Sequence, residues 1–219
     1  MNQVNAALAA GTWTGIPYLY SWGRNAIGQL GLGNITYYSS PKQVGTLTTW
    51  SDITAGGQST AVIKTDGTLW AWGYNGFGQL GLGNTVDKSS PSQVGALTTW
   101  YSISSGSQFM AAIKTDGTLW SWGRNATYGS LGLGDTVNRS SPVQVGALTT
   151  WYKVAAGYRF TIAVKTDGTL WSWGLNSQGQ LGYGGYSISR SSPVQVGALT
   201  TWLTLPKMPL SSSSLAIKG

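Results

Sequence analysis

The sequence predicts an all-β repeat protein, and three observations predict it. A long segment recurs with a period of about fifty residues, the signature of a repeat architecture. Asp-Gly dipeptides separate β-rich runs within each copy, and no stretch of ten or more residues carries an apolar 3.6-residue period. Trp22, Trp72, Trp122 and Trp173 stand 50, 50 and 51 residues apart, and Trp50, Trp100, Trp151 and Trp202 stand 50, 51 and 51 apart. Residues 1–219 are therefore read as one repeat domain, with units at about 22–71, 72–121, 122–172 and 173–219, preceded by 1–21.

Each element follows in order within a unit, taking Trp100 to Gly146 as the example. An apolar-alternating run, Trp100-Tyr-Ser-Ile-Ser, is followed by Phe109-Met-Ala-Ala-Ile, by Thr115-Asp116-Gly117, and by Thr118-Leu-Trp-Ser-Trp122. That order reads strand, strand, turn, strand. Gly accepts the positive φ of a tight reversal at little steric cost, and the pair recurs as Asp66-Gly67, Asp116-Gly117 and Asp167-Gly168. A fourth strand is expected around Ser141–Gly146, where Pro142 near its start need not donate to the ladder. Four strands make a sheet too small to bury both faces alone, so copies must pack face to face as a solenoid or a radial propeller.

The ends favour the propeller. Leu8-Ala-Ala-Gly11 matches Val154-Ala-Ala-Gly157, but only nine residues separate Gly11 from Tyr20, against fourteen from Gly157 to Trp171, so the strand before the turn is missing from the first unit. The C-terminal Ser214-Leu-Ala-Ile-Lys218 resembles Ala61-Val-Ile-Lys64 and Ala111-Ala-Ile-Lys114, the piece the first unit lacks. The expected fold is a β-propeller of four four-stranded blades, one closed by N- and C-terminal strands. Closure within the chain is the expectation. An open arc completed by other contacts and two chains exchanging end strands into eight blades stand beside it.

Composition excludes most chemistry. Of 219 residues only 9% are charged, 13 Lys/Arg against six Asp, for a net charge of +7. Cys, His and Glu are absent, which removes thiolate nucleophiles, imidazole bases and the usual zinc ligands. Asp66, Asp116 and Asp167 are accounted for by turn chemistry. Asp52, Asp87 and Asp135 occupy different repeat positions with no base or metal cluster nearby. Gly28-Gln-Leu-Gly-Leu-Gly33 lacks the Lys-Ser/Thr of a phosphate loop. No catalytic residue, cofactor or metal is expected. No apolar run approaches the roughly 20 residues that span a bilayer, so membrane insertion is not expected. Met1 to Gly11 show no basic segment followed by an apolar core, so no secretory leader is expected, and location stays open between virion and cytoplasm.

The aromatic-rich strand ends in Trp22-Gly-Arg-Asn25 with Gln29-Leu-Gly31, Trp72-Gly-Tyr-Asn75 with Gln79-Leu-Gly81, and Trp173-Gly-Leu-Asn176 with Gln180-Leu-Gly182; the third copy has Ser130 in place of Gln. From Tyr18 to Trp202 this resembles the repeat family named after the regulator of chromosome condensation. The resemblance implies one propeller blade per repeat and a blade closed by both chain ends. The family ring usually has seven blades, whereas this chain holds material for four.

The pairs Trp70/Trp72, Trp120/Trp122 and Trp171/Trp173, with Trp22, are read as packing between blades, since residues two apart on a strand face one side. Lys64, Lys114, Lys165 and Lys218 are read as solvated strand-end charges beside the turn Asp. Lys88, Arg139 and Arg190, joined by Tyr38, precede each Ser-Ser-Pro or its equivalent and are the candidate binding residues, a partial basic ring for an acidic surface. The best reading is a non-enzymatic structural or binding module, and the resemblance to microbial and viral members implies a virion-associated protein such as a bacteriophage decoration or tail component. The expected partner is a protein with an acidic surface or a larger assembly, a homo-oligomer included; nucleic acid is not expected. Nucleotide exchange or chromatin binding is the second reading. A glycan-binding propeller using Tyr37, Tyr38 or Tyr186 is the third.

Overall fold

The computed structural model describes residues 18–206, 213, 214 and 216–218. Every regular element among them is a strand, sixteen in all. β1 (Tyr20–Gly23) pairs with β2 (Tyr38–Gln43) as a two-stranded sheet. Three four-stranded antiparallel blades follow. The first holds β3 (Trp50–Gly56), β4 (Ser59–Lys64), β5 (Leu69–Gly73) and β6 (Lys88–Gln93). The second holds β7 (Trp100–Ser105), β8 (Phe109–Lys114), β9 (Leu119–Gly123) and β10 (Arg139–Gln144), and the third β11 (Trp151–Ala156), β12 (Phe160–Lys165), β13 (Leu170–Gly174) and β14 (Arg190–Gln195). A last pair joins β15 (Trp202–Thr204) to β16 (Ile217–Lys218).

The all-β blade architecture is as expected, and the fourth strand of each blade starts earlier than Ser-Pro indicates, at Lys88, Arg139 and Arg190. The fourth blade is present in two parts. β1 and β2 match the two outer strands of a blade. β15 and β16 match the two inner ones, since Trp202 faces Lys218 as Trp50 faces Lys64. Among the described residues these pairs are two separate sheets, so the expected join of β16 to β1 within one chain is not made. At the two unjoined edges Trp22 and Ile217 stand exposed, at positions that are buried inside the complete blades. The match of Leu8–Gly11 to Val154–Gly157 lies outside the described residues.

That contact is an indole latch. Trp72 Nε1 donates to the Gln29 carbonyl of the preceding sheet at 3.1 Å, Trp122 Nε1 to Gln79 at 3.0 Å, and Trp173 Nε1 to Ser130 at 2.9 Å. Gly31, Gly81 and Gly132 lie against the same rings, so that a Cβ there would come within 2.6–2.8 Å of the indole nitrogen. Each of these glycines also has φ near +73°, where a side chain is strained. Trp72, Trp122 and Trp173 are 0–1% exposed. Trp22 departs from the expected packing role: it is 59% exposed, and among the described residues no sheet packs over it as the preceding sheets do over Trp72, Trp122 and Trp173.

The loop between the latch elements is held by Asn. Asn25, Asn75, Asn125 and Asn176 accept through Oδ1 from the N–H of Leu30, Leu80, Leu131 and Leu181 at 2.9–3.0 Å. Their Nδ2 groups donate to carbonyls nine or ten residues on. The strands β8 and β12 are buried along their whole length, which is why they read as continuous apolar runs rather than alternating ones.

At the opposite end of each blade, the turn carboxylates act through hydrogen bonds. Asp66, Asp116 and Asp167 accept from the backbone N–H of Thr68, Thr118 and Thr169 at 2.9 Å, and from the same threonines' hydroxyls at 2.6–2.7 Å. The threonine hydroxyl oxygen in turn accepts from Trp70, Trp120 or Trp171 Nε1. Donation from Thr68, Thr118 and Thr169 holds the three carboxyls below the ordinary Asp range.

Two outcomes are expected. Trp122→Ala opens a cavity at a blade boundary and lowers stability by about 3–5 kcal/mol in urea unfolding. The depressed Asp pKa values stabilise the fold above the unfolded value of about 3.9, and that contribution is lost as pH falls below it through the folded values. Urea midpoints measured from neutral to strongly acid pH should therefore drop on the acid side, and drop less steeply in Asp66→Asn/Asp116→Asn/Asp167→Asn; an unchanged acid slope contradicts the assignment.

Candidate functional site

The strand register divides each blade into two ends. Gly73 faces both Ser59 and Lys88, Gly123 faces Phe109 and Arg139, and Gly174 faces Phe160 and Arg190. One end thus gathers the inner-strand turns (56–59 and equivalents) and the long loops (73–88 and equivalents). This is the loop face. The Asp-Gly turns form the other, the turn face.

The turn face is electrostatically closed. Lys64, Lys114 and Lys165 are buried, 7–8% exposed, and do not stand out in water as the sequence suggested. Their Nζ atoms lie 3.7, 3.5 and 3.6 Å from the ring centroids of Trp70, Trp120 and Trp171. They also lie 5.4, 5.0 and 5.0 Å from those of Trp50, Trp100 and Trp151. Each ammonium is therefore held between two indoles by the ring quadrupoles. Burial lowers the lysine pKa values, and the nearby turn Asp opposes that shift. The lysines cover the Trp70, Trp120 and Trp171 ring faces that a sugar would need.

On the loop face stand Arg24, Lys88, Arg124, Arg139, Arg159 and Arg190. Arg124 and Arg159 form an aromatic row that crosses blade boundaries. Tyr74 and Phe77 meet edge to face at 6.1 Å, and the Arg124 guanidinium of the next blade lies 4.7 Å over Phe77 while donating to Gln108 Oε1 at 2.6 Å. Arg159 of the third blade lies 5.4 Å from Tyr128 and 4.9 Å from Tyr158. All of these side chains are partly or fully exposed.

The series Lys88, Arg139 and Arg190 lies at the rim of this same face, on the outer strands, with Tyr38 at the matching place beside Gly23. Arg139 is not free: it is paired to Asp135 at 2.5 Å and also donates to the Val137 carbonyl at 3.0 Å. The Val137 N–H and Arg139 together hold the Asp135 carboxyl below the ordinary range. The Tyr38 hydroxyl accepts from Asn34 Nδ2 at 3.2 Å. Tyr37 and Tyr186 are exposed and Tyr38 is half-buried. The remaining carboxylates serve the backbone: Asp87 accepts from Asn75 N–H at 2.7 Å and Asp52 from Ile103 N–H of the next blade at 3.1 Å.

The arginine–aromatic row was not singled out from the sequence, yet a signal for it exists. Positions 24, 74, 124 and 175 read Arg, Tyr, Arg and Leu, and positions 27, 77, 128 and 178 read Ile, Phe, Tyr and Gln. The motif around them is copied nearly unchanged. Differences between copies are concentrated on the loop face.

The latch motif and the blade geometry agree with comparison to known proteins. The model of the regulator of chromosome condensation (RCC1) repeat matches residues 18–63, 66–113, 116–164 and 167–203. The chain belongs to the RCC1 repeat family. Among curated relatives, the ultraviolet-B receptor UVR8 of Arabidopsis thaliana is 34% identical over 181 residues, covering 80% of this chain and 41% of the receptor. The human X-linked retinitis pigmentosa GTPase regulator is 36% identical over 79 residues, 34% of this chain and 8% of that protein. The chain thus spans less than half the length of these relatives. Among solved structures, human WBSCR16 superposes with a TM-score of 0.72 at 21% identity over 83% of this chain and 48% of its own. Prp20p of Saccharomyces cerevisiae does so with 0.71 at 22% over 83% and 46%. Both show the same RCC1-type propeller fold.

Arg139→Gln removes a half-exposed pair in solvent, so it should cost less than about 1 kcal/mol in thermal or urea unfolding, with the difference shrinking as salt rises. A loss of several kcal/mol contradicts this description of the rim.

Proposed function

We propose that this RCC1-repeat chain is a non-enzymatic binding propeller whose loop face takes an acidic surface of a protein partner. One observation carries the reading: cations outnumber carboxylates on the loop face. The loop face holds six cations (Arg24, Lys88, Arg124, Arg139, Arg159, Arg190) against two carboxylates (Asp87, Asp135), a surplus of four, while Lys64, Lys114 and Lys165 on the turn face each stand near their own Asp. A surplus on one face steers an acidic partner to it and orients the encounter. The guanidinium planes of Arg124 and Arg159, already ordered on aromatic rings, are suited to bidentate carboxylate recognition.

The engagement of all six Asp in backbone or ion-pair contacts supports a binding rather than a catalytic role. A protein as partner is in keeping with Prp20p, whose structure is described with binding to Gsp1p and histones. Within this class, a structural part of a larger assembly such as a virion is the finer reading, and the near-uniform repeats support it.

The test compares two variants of equal net charge. Arg159→Glu/Arg190→Glu alters the loop face, and Lys42→Glu/Lys153→Glu alters cations elsewhere. On immobilised poly-L-glutamate, the loop-face variant should elute at clearly lower salt than the control variant, with both keeping the wild-type circular dichroism. Identical elution would mean that net charge alone governs binding and would remove the proposed site.

A further inference from the structure

The two half-blades present complementary surfaces, each lacking what the other holds. Trp22 on β1 is 59% exposed, whereas Trp72, Trp122 and Trp173 at the same repeat position are 0–1% exposed. Ile217 on β16 is 61% exposed, whereas Ile63, Ile113 and Val164 at its position are 0–2% exposed.

The socket for an indole is present at the other end of the arc. The Gln29 carbonyl accepts both Thr60 Oγ1 and Trp72 Nε1, and the Ser130 carbonyl accepts both Thr161 Oγ1 and Trp173 Nε1. At Gln180 the carbonyl accepts the hydroxyl of Ser214, the residue at the Thr60 position, and among the described residues no indole donates to it. Gly182 tells the same story. A Cβ on Gly31, Gly81 or Gly132 would strike the next blade's indole, whereas at Gly182 it would meet, among the described residues, only Val196. Further out, Gly33, Gly83 and Gly134 N–H donate to Ser89, Ser140 and Ser191 carbonyls of the next blade's outer strand. For Gly184 the corresponding strand is the β2 type, and among the described residues no such bond is made.

We propose that two copies of the chain close head to tail, the β1–β2 pair of each joining the β15–β16 pair of the other into a four-stranded blade. Trp22 of one copy enters the Gln180–Gly182 socket of the other, and the edges of β1 and β16 that have no strand partner among the described residues pair in the register used inside complete blades. That register places Ala216 opposite Tyr20, as Val62 faces Trp70 and Ala163 faces Trp171. Tyr186, an exposed side chain lying 3.1 Å from a Cβ position on Gly179, moves aside for the incoming outer strand.

A second copy fits for two reasons. The part of the arc that superposes on the solved propeller chains matches 46–48% of them, about half of such a chain. Three complete and two half-blades per copy total eight blades for two copies, within the usual propeller range of about 4–8. Because the two surfaces differ, the contact is heterologous, and it forms twice in a closed two-copy ring.

The chain has no cysteine, so engineered thiols report cleanly. Facing strand positions have Cα atoms roughly 4.5–5.5 Å apart, within disulfide range. Tyr20→Cys and Ala216→Cys, made as separate single variants, are mixed and oxidised. The expected product is a covalent dimer that forms in the mixture and not with either variant alone. By light scattering the wild type should have twice the 23.1 kDa chain mass, and Trp22→Ala should return it to the single-chain mass with unchanged circular dichroism. A wild-type particle of single-chain mass with no cross-link in the mixture overturns the proposal. So does the double variant cross-linking only within one chain, which is closure in cis, or a native particle larger than two chains. None of these variants changes Arg159 or Arg190, so the outcome can be told apart from that of the loop-face test.

Discussion

The structure depends on one repeated contact, an indole N–H of one blade donated to a loop carbonyl of the blade before it, across a glycine that lets the ring approach. It explains why the motif has its composition. The Trp of Trp-Gly-x-Asn is the plug for the preceding blade, and Gln-Leu-Gly is the socket for the following one. The Asn between them fixes the socket's shape by accepting from the Leu N–H. Each blade thereby sets the position of the next, and stability is close to a sum of blade and neighbour contributions, as in other repeat architectures. A plug and a socket are left over at the ends of such an arc.

The same arrangement separates stability from binding. Turn-face charges are consumed by the fold: lysines sit between indoles, and aspartates receive threonine and backbone hydrogen bonds. Loop-face charges are stacked or stand at the rim, and there the copies differ from one another. A repeat protein can vary these positions without disturbing the latch, because Tyr74, Arg124 and Leu175 occupy one place in three blades whose Trp and Asn are constant.

Much of this was legible in the sequence. The fifty-residue period, the Asp-Gly turns and the lack of a helical period give the blades, and the Trp spacing marks the blade boundaries. Less legible was the role of Lys64, Lys114 and Lys165, since a strand-end Lys two residues before an Asp reads as a solvated pair until the third dimension brings Trp50 and Trp70 to either side of it. Trp22 reads as core because its repeat position is core; its exposure depends on what stands before it in space. The join of β16 to β1 was expected from the matching of Ser214–Lys218 to the inner strand, and the match is real, since Ser214 makes the bond of Thr60 and Lys218 faces Trp202. That the two half-blades form separate sheets is a relation between distant segments, which no residue type encodes by itself. Arg124 and Arg159 are less legible because they stand at positions where the copies differ, outside the repeated pattern.

Hydrogen exchange of the tryptophan indole protons, followed by NMR on protein labelled at tryptophan, tests the latch most directly. The Nε1 protons of Trp72, Trp122 and Trp173 should fall in the slowest class, exchanging only with global unfolding, and in the closed two-copy ring Trp22 should join them. Exchange of Trp72, Trp122 and Trp173 on the timescale of exposed indoles, while the backbone of β8 and β12 stays protected, would show that the blades are held together by something else.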